Sequence, residues 1–356
     1  LRPTGTELVG PCPLCGGRDR FAINLLKQVF NCRQCDLRGK GQIDLVKGVL
    51  GIEFKESLQW LCGDRPAQVD QAALDRRRRI AAAVDQKQKD AQEKYRRWAI
   101  TDARRIWGQA RPGRLGVVGA YLAARGLTRD LIGDVPDALR FIVDHPYAKT
   151  LEGQSRIVHR GPCMIAGILS PAGDIIAVHQ TWVDPNPPHG KAKIMWRGKT
   201  LPSKLVRGSK KGGAIQLYTP QGADTLIMGE GIETTLSALA ARRFPRAAYW
   251  AGIDLGNMAG RMQRVAGLRY SRVPDMDDHH AFVPPPWVER LIFVMDGDSA
   301  PAMTRAKLEF GLRRAMAARP GLQGQIIPMG GGIDLNDVLM NAARDLPPDV
   351  SLGGGP

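Results

Sequence analysis

Asp224-Thr225-Leu226-Ile227-Met228-Gly229, running into Glu230-Gly231-Ile232-Glu233-Thr234-Thr235-Leu236, is the stretch that decides the reading of this chain. The first six residues predict a buried strand and the next seven the start of a helix, with an acidic residue at the junction. Glu230 then stands at the C-terminal end of a sheet strand, where open α/β folds hold their ligands. Gly231 leaves room there for a backbone or a phosphate to approach. Further along, Leu291-Ile292-Phe293-Val294-Met295 predicts a second buried strand, which ends in Asp296-Gly297-Asp298. Alternate side chains of an extended segment share one face, so the two aspartates can point the same way. Three carboxylates meeting at adjacent strand ends repel one another unless a hard dication lies between them. Mg²⁺ suits such a set, because it takes a few carboxylates, keeps some waters and completes its shell with substrate phosphates. A third strand, Gln325-Ile326-Ile327-Pro328, precedes Gly330-Gly331-Gly332 and a further acidic turn, Asp334-Leu335-Asn336-Asp337. Strands and helices alternate from residue 224 onward, which predicts a largely parallel sheet.

At the other end of the chain, Cys12-Pro13-Leu14-Cys15 and Cys32-Arg33-Gln34-Cys35 form two C-x2-C knuckles with sixteen residues between them. Two residues between thiols let one tight turn aim both sulfurs at a point, so Cys12, Cys15, Cys32 and Cys35 predict a closed, structural Zn²⁺ site. The alternative, a pair of disulfides, is disfavoured in a reducing cytoplasm. Phe21, Ile23, Val29 and Phe30 predict a small sheet between the knuckles. Cys62 and Cys163 are left over and read as buried free thiols.

Between these ends, residues 63–111 are charged and Ala-rich, with Asp64 and Pro66 at a helix start and the run Arg76-Arg77-Arg78-Arg79 within. They read as a linker of one or two long helices. Val118 to Leu131 predicts a helical patch. Cys163 to Leu169 and Ile175 to Val178 predict strands around the Pro171-Ala172-Gly173-Asp174 turn. No Asp or Glu occurs between Asp184 and Asp224, whereas that interval holds Lys191, Lys193, Arg197, Lys199, Lys204, Arg207, Lys210 and Lys211 beside Trp196. These eight cations suit a template groove or a triphosphate site; the plainer reading is a solvated basic hairpin. The net charge of +16 and pI near 9.9 also favour a polyanionic partner. No apolar run is long enough to cross a bilayer and no secretory leader precedes the first module, so no membrane is expected and the location expected is cytoplasmic. Asp275, Asp277, Asp278, His279 and His280 precede three prolines and read as an exposed loop. No P-loop is found: Lys193 stands where the first glycine of one ending in Gly198-Lys199-Thr200 would be. No helicase motor is therefore expected within these residues.

The fold class expected is α/β. It comprises a zinc ribbon over residues 1–62, a charged helical linker over 63–111, a mixed α+β pre-domain over 112–221, a Rossmann-like parallel-sheet domain over 222–346 and a tail over 347–356. The Glu-Gly after one strand, the D-x-D after a later strand and the third acidic turn resemble the Toprim domain over about residues 222–345. With the zinc ribbon ahead of it, the order resembles DnaG-type and phage or plasmid DNA primases. Pro11 to Gly16, Ile43 to Val46, Tyr121 to Leu127 and Val178 to Trp182 carry further likeness, the last two more weakly. That resemblance implies Mg²⁺ or Mn²⁺ on Glu230, Asp296 and Asp298, with Glu233, Asp334 and Asp337 matching the remaining acidic positions. It implies synthesis of RNA primers from ribonucleoside triphosphates on single-stranded DNA, beside a separate replicative helicase, in a host or a mobile element. Two alternatives stay open: a non-catalytic, RecR-like single-stranded DNA-binding mediator, and a Toprim nuclease.

Overall fold

A computed structural model describes residues 1–63, 71–241, 244–263, 265, 268, 271–295, 301–327 and 336. The chain divides into two compact units, Leu1–Lys94 and Tyr95–Pro356. Among the described residues no helix is long and apolar enough to cross a membrane.

The first unit is an antiparallel meander of five strands in sequence order: β1 (Arg2–Thr4), β2 (Glu7–Cys12), β3 (Gly16–Asn24), β4 (Val29–Cys32) and β5 (Arg38–Lys40). Its central cluster is Cys12, Phe21, Phe30, Cys32 and Leu37, with Ile23, Leu45 and Val49 packed against them. Side chains alternate along β4, so Phe30 and Cys32 turn inward while Val29 faces solvent, although both Val29 and Phe30 are apolar. Helix α1 (Gly41–Leu50) follows, where Asp44 accepts a bond from the Lys40 amide at 3.0 Å. Helix α2 (Phe54–Cys62) starts with a reciprocal capping box between Glu53 and Glu56.

Helix α3 (Gln71–Gln109) is the charged stretch predicted as a linker, and the expected start at Asp64 and Pro66 lies outside the described residues. Its last three turns are more than a linker. Ala103 and Ile106, with Ala110 just after the helix ends, are buried against Tyr147, Cys163, Ile165, Val178 and Trp182 of the sheet that follows. That sheet has the order β12-β9-β8-β7-β6, all antiparallel, built from β6 (Arg111–Pro112), β7 (Leu139–Leu151), β8 (Gln154–Leu169), β9 (Ile175–Trp182) and β12 (Lys204–Gly208). A small hairpin of β10 (Ile194–Trp196) and β11 (Lys199–Leu201) precedes β12. Odd residues of β8, Cys163 and Ile165, face α3. Even ones, Met164, Ala166 and Ile168, face α4 (Val117–Ala124) and the second sheet. Burial on both faces explains why Cys163 to Leu169 is a continuous apolar run instead of an alternation. Short helix α5 (Arg129–Ile132) links α4 to β7.

The second sheet has the order β13-β15-β14-β16-β17, from β13 (Ile215–Tyr218), β14 (Thr225–Gly229), β15 (Ala247–Ala251), β16 (Arg290–Val294) and β17 (Gln323–Ile327). The last four are mutually parallel, as predicted, while β13 joins the edge antiparallel to β15. The boundary expected at residue 221/222 is therefore corrected: β13 precedes it in sequence yet belongs to the later sheet. Helix α6 (Ile232–Ala240) covers one face through Ala238 and Leu239. Helices α7 (Leu255–Ala259) and α8 (Pro301–Ala318) cover the other, where Met258, Leu308 and Leu312 pack on Leu226, Met228 and Phe293.

The tight glycine at the β14–α6 junction is Gly229 and not Gly231. A Cβ on Gly229 would lie 2.8 Å from Thr235 Oγ1, whereas one on Gly231 comes no nearer than 3.6 Å to anything. Gly229→Ala is expected to lower stability by about 1–3 kcal/mol through overpacking. Gly231→Ala should stay within about 0.5 kcal/mol of the parent. Thermal denaturation of the two variants checks the ordering.

Candidate metal cluster and cation-lined cavity

The four knuckle cysteines converge as the spacing predicts. All four sulfurs lie within 4.8 Å of one another, with Cys12 Sγ 3.6 Å from Cys35 Sγ and Cys15 Sγ 3.5 Å from Cys32 Sγ. Four thiolates at about 2.3 Å from Zn²⁺ place their sulfurs about 3.8 Å apart, so the cluster fits that ion. The turns contribute amides: Leu14 N–H donates to Cys12 Sγ at 3.4 Å, and the Gln34 and Cys35 amides donate to Cys32 Sγ at 3.4 and 3.5 Å. Those amides draw the Cys32 thiol down to about 6. Cys15, desolvated and hydrogen-bonded to the other thiols, is pushed up to about 12. The four cannot all ionise together without a cation. Elsewhere Cys163 is buried, as expected, and Cys62 is half-buried.

Glu230 follows β14 immediately and is half-buried at the rim of a cavity of about 300 Å³. Arg125, His179, Lys191, Lys204 and Glu233 share the lining. Topology sets this convergence. His179 on β9 and Lys204 on β12 occupy the same sheet face, since Lys204 pairs with Thr181 and Val206 with His179. Strand β16 lies parallel to β14 in the register Met228↔Phe293, so its C-terminal end reaches the same sheet edge as Glu230. Asp296, Asp298, Asp334 and Asp337 lie outside the described residues. Asn336, between the last two, is buried. Its Nδ2 donates to the Arg125 carbonyl at 2.6 Å and reaches Ser237 Oγ on α6 at 3.4 Å.

Glu233 does not offer a free carboxylate to a metal, contrary to expectation. It is buried in the first turn of α6, where Tyr121 Oη donates to Oε1 at 2.5 Å. Lys191 Nζ sits 3.2 Å from Oε1 and Lys204 Nζ 3.4 Å from Oε2. Burial pushes this carboxyl up, but the two ammonium groups and the Tyr121 hydroxyl outweigh it and hold it well below the usual range. His179 is driven down to about 4 by burial and by Lys204, and so stays neutral near pH 7.

The basic interval is also corrected. Its cations have no acidic neighbour in sequence, yet the fold supplies carboxylates from elsewhere. Besides Lys191 and Lys204 on Glu233, Arg207 meets Asp102 at 2.6 Å, Lys210 meets Asp254, and Arg197 meets Glu152. Lys193, Lys199 and Lys211 make no ion pair among the described residues. Arg125 and His179 went unassigned in the sequence reading, although both lie in the two segments that carry the weaker part of the primase likeness. Neither segment has a spacing rule that would mark a cavity residue. The loop from Asp275 to His280 is only partly exposed: Asp278 is buried, accepts the Arg261 and His280 amides, and gives its carbonyl to the buried Arg314. Larger clefts of about 480 and 730 Å³ lie near Ile132, Tyr218 and Leu239; Glu230 lines neither.

A family profile described as a domain of unknown function (DUF7146) matches residues 97–217. No curated protein matches the chain. Among solved structures, the chain is similar to the Aquifex aeolicus primase, zinc-binding and RNA polymerase domains. Identity is 14% over 97% of this chain and 78% of that one, with a TM-score of 0.36. It is similar to the primase fragment of the bacteriophage T7 primase-helicase protein, 12% identical over 95% and 96%, TM-score 0.33. It is also similar to a DnaG primase catalytic domain bound to single-stranded DNA, 13% identical over 70% and 78%, TM-score 0.41.

Proposed function

We propose that the chain is a primase-type nucleotidyltransferase, a DNA-directed RNA polymerase that makes short RNA primers on single-stranded DNA from a Toprim-like site. The carrying observation is the cavity in which Glu230 meets Arg125, His179, Lys191 and Lys204 at the carboxyl end of β14. Nucleotidyl transfer needs a carboxylate that holds a divalent ion beside cations that hold a triphosphate, and this cavity offers both. Lys191 and Lys204 arrive fixed by Glu233, so little ordering is left for the moment of binding. Arg125 Nε is buried without a hydrogen-bond partner, which suits an incoming anionic oxygen.

Glu230 fits a hard cation, and Asp296 and Asp298 are its proposed co-ligands, with Asp334 and Asp337 as outer acidic groups. Mg²⁺ or Mn²⁺ bound there supplies neutralisation of charge on the phosphoryl oxygens. The primer 3′-hydroxyl attacks the α-phosphorus of the incoming ribonucleotide, the bond to the bridging oxygen breaks, and pyrophosphate leaves. Glu230 relays the proton lost by the hydroxyl. Lys191, Lys204 and Arg125 hold the triphosphate, while Lys193, Arg197, Lys199, Arg207, Lys210 and Lys211 favour template phosphates nearby. The zinc unit selects the start site on the template, and a separate helicase supplies the single strand.

Labelled ribonucleotides incubated with the full chain, Mg²⁺ and a panel of short single-stranded DNAs should yield template-dependent oligoribonucleotides. Failure on every template, or cleavage of the DNA in Mg²⁺ without nucleotides, would overturn the proposal; cleavage would instead identify a nuclease.

A further inference from the structure

We infer that the turn of α3 carrying Tyr95 and Trp98 is a stacking platform for single-stranded nucleic acid. Tyr95 is 62% exposed and Trp98 54% exposed. The two rings lie three residues apart on one helix face, with centroids 5.6 Å apart and planes tilted by 43°. Arg207 of β12 places its guanidinium 4.4 Å from the centre of the Trp98 ring and is anchored there by Asp102. One side of the indole thus carries a fixed cation, which the ring's quadrupole favours.

The surroundings identify the occupant. Arg96 Nε donates to Ser209 Oγ at 3.3 Å, which brings the turn of Ser209, Lys210 and Lys211 beside the same stretch of helix. Lys211 is exposed and Arg97 adjoins Trp98 in sequence. Asp102, four residues after Trp98, is already held by Arg105 and Arg207. A partner that fits has flat π faces for the rings and negative charge for the cations around them. Single-stranded nucleic acid has both, and aromatic platforms of this kind tolerate any base because every base has a π face. Its phosphates would meet the arginines and lysines and displace counterions. The inference takes only the class of polymer from the functional reading above and requires neither the metal nor catalysis.

The test is fluorescence anisotropy of a labelled oligothymidylate with the full chain, in buffer without Mg²⁺ or nucleotides. Tyr95→Ala with Trp98→Ala should weaken binding about tenfold or more, from the loss of stacked bases. Tyr95→Phe with Trp98→Phe should stay within about threefold, since a π face remains. The slope of affinity against salt should be unchanged in the alanine pair, because phosphate contacts survive. Asp296→Ala with Asp298→Ala should bind like the parent, so absence of priming and absence of this platform are separable. An alanine pair that melts like the parent and binds within about twofold overturns the inference. So does photo-cross-linking of an iodouracil oligonucleotide to the parent chain that labels neither Tyr95 nor Trp98. The cross-link decides the matter even if the alanine pair does not fold.

Discussion

Cys32→Ser is expected to unfold the first unit while leaving the second folded. The sulfur cluster is not an accessory to a finished core: four of its members, Cys12, Cys15, Cys32 and Cys35, belong to the apolar cluster around Phe21 and Phe30. With so few apolar side chains, the meander of β1 to β5 buries too little area to offset the entropy of ordering its chain. Structural zinc contributes on the order of 10–16 kcal/mol in small modules at neutral pH. Loss of one thiolate leaves an incomplete shell and removes most of that. A strong chelator should act like the substitution, and zinc should restore the fold. Acid should act in the same direction, because ligation requires the thiolates, so protonation competes with the ion as pH falls. Limited proteolysis after chelation is the readout. Rapid cleavage confined to Leu1–Lys94 is expected, and resistance equal to the zinc-loaded chain would refute the structural role.

Glu233→Gln is the second large effect. It leaves Lys191 and Lys204 without the buried carboxylate that pairs with both. Breaking a buried ion cluster by removing one partner costs roughly 3–5 kcal/mol. Both lysine side chains retain 35% exposure, so about 2–4 kcal/mol is the expectation here, or roughly 5–12 °C in melting temperature. Adding Lys191→Met should recover part of the loss, because the remaining repulsion disappears; a further fall would refute the electrostatic account. The same groups give the second unit an acid-sensitive stability. His179, lowered to about 4, refuses a proton that the unfolded chain accepts below about 6.5. Stability therefore falls as pH drops through that window, and burial of His145 acts in the same sense. Glu233, held below its ordinary range, contributes in full above about pH 4.3 and loses that contribution only as pH falls further. Urea titrations of the parent and of His179→Gln should show the upper leg of this curve flattened in the variant.

The parts of the fold that were legible are those governed by local rules. Knuckle spacing placed the four sulfurs, since two residues between thiols permit only one kind of turn. The strands ending at Gly229 and Val294 were readable because both faces are buried, which leaves an unbroken apolar run bounded by glycine and acidic residues. The inner face at the end of α3 was missed, and the stretch was read as a linker. Ala99, Ala103, Ile106 and Ala110 recur at helical spacing, but the charges around them invite a solvent-exposed reading. Strand β13 was not readable as part of the later sheet. Four residues, Ile215 to Tyr218, cannot state which of two sheets will accept their hydrogen bonds. The ion pairs were hidden for a related reason. Lys204 meets Glu233 and Arg207 meets Asp102 across long sequence separations, so a count of charges along the basic interval reports composition and not compensation. Gly231 illustrates the remaining limit: a glycine beside an acidic motif invites a functional reading, while the close contact belongs to Gly229 two residues earlier.

The central claim is that Glu230, Asp296 and Asp298 jointly hold the ion that supports nucleotidyl transfer beside the cation-lined cavity. The most direct measurement is the initial rate of ribonucleotide incorporation on single-stranded DNA by the Asp296→Ala, Asp298→Ala double variant, alongside its affinity for the same DNA. A fall of about a thousandfold or more in rate, with DNA affinity unchanged, is predicted, since the lost charge stabilisation is worth several kcal/mol. A rate equal to that of the parent chain would contradict the account.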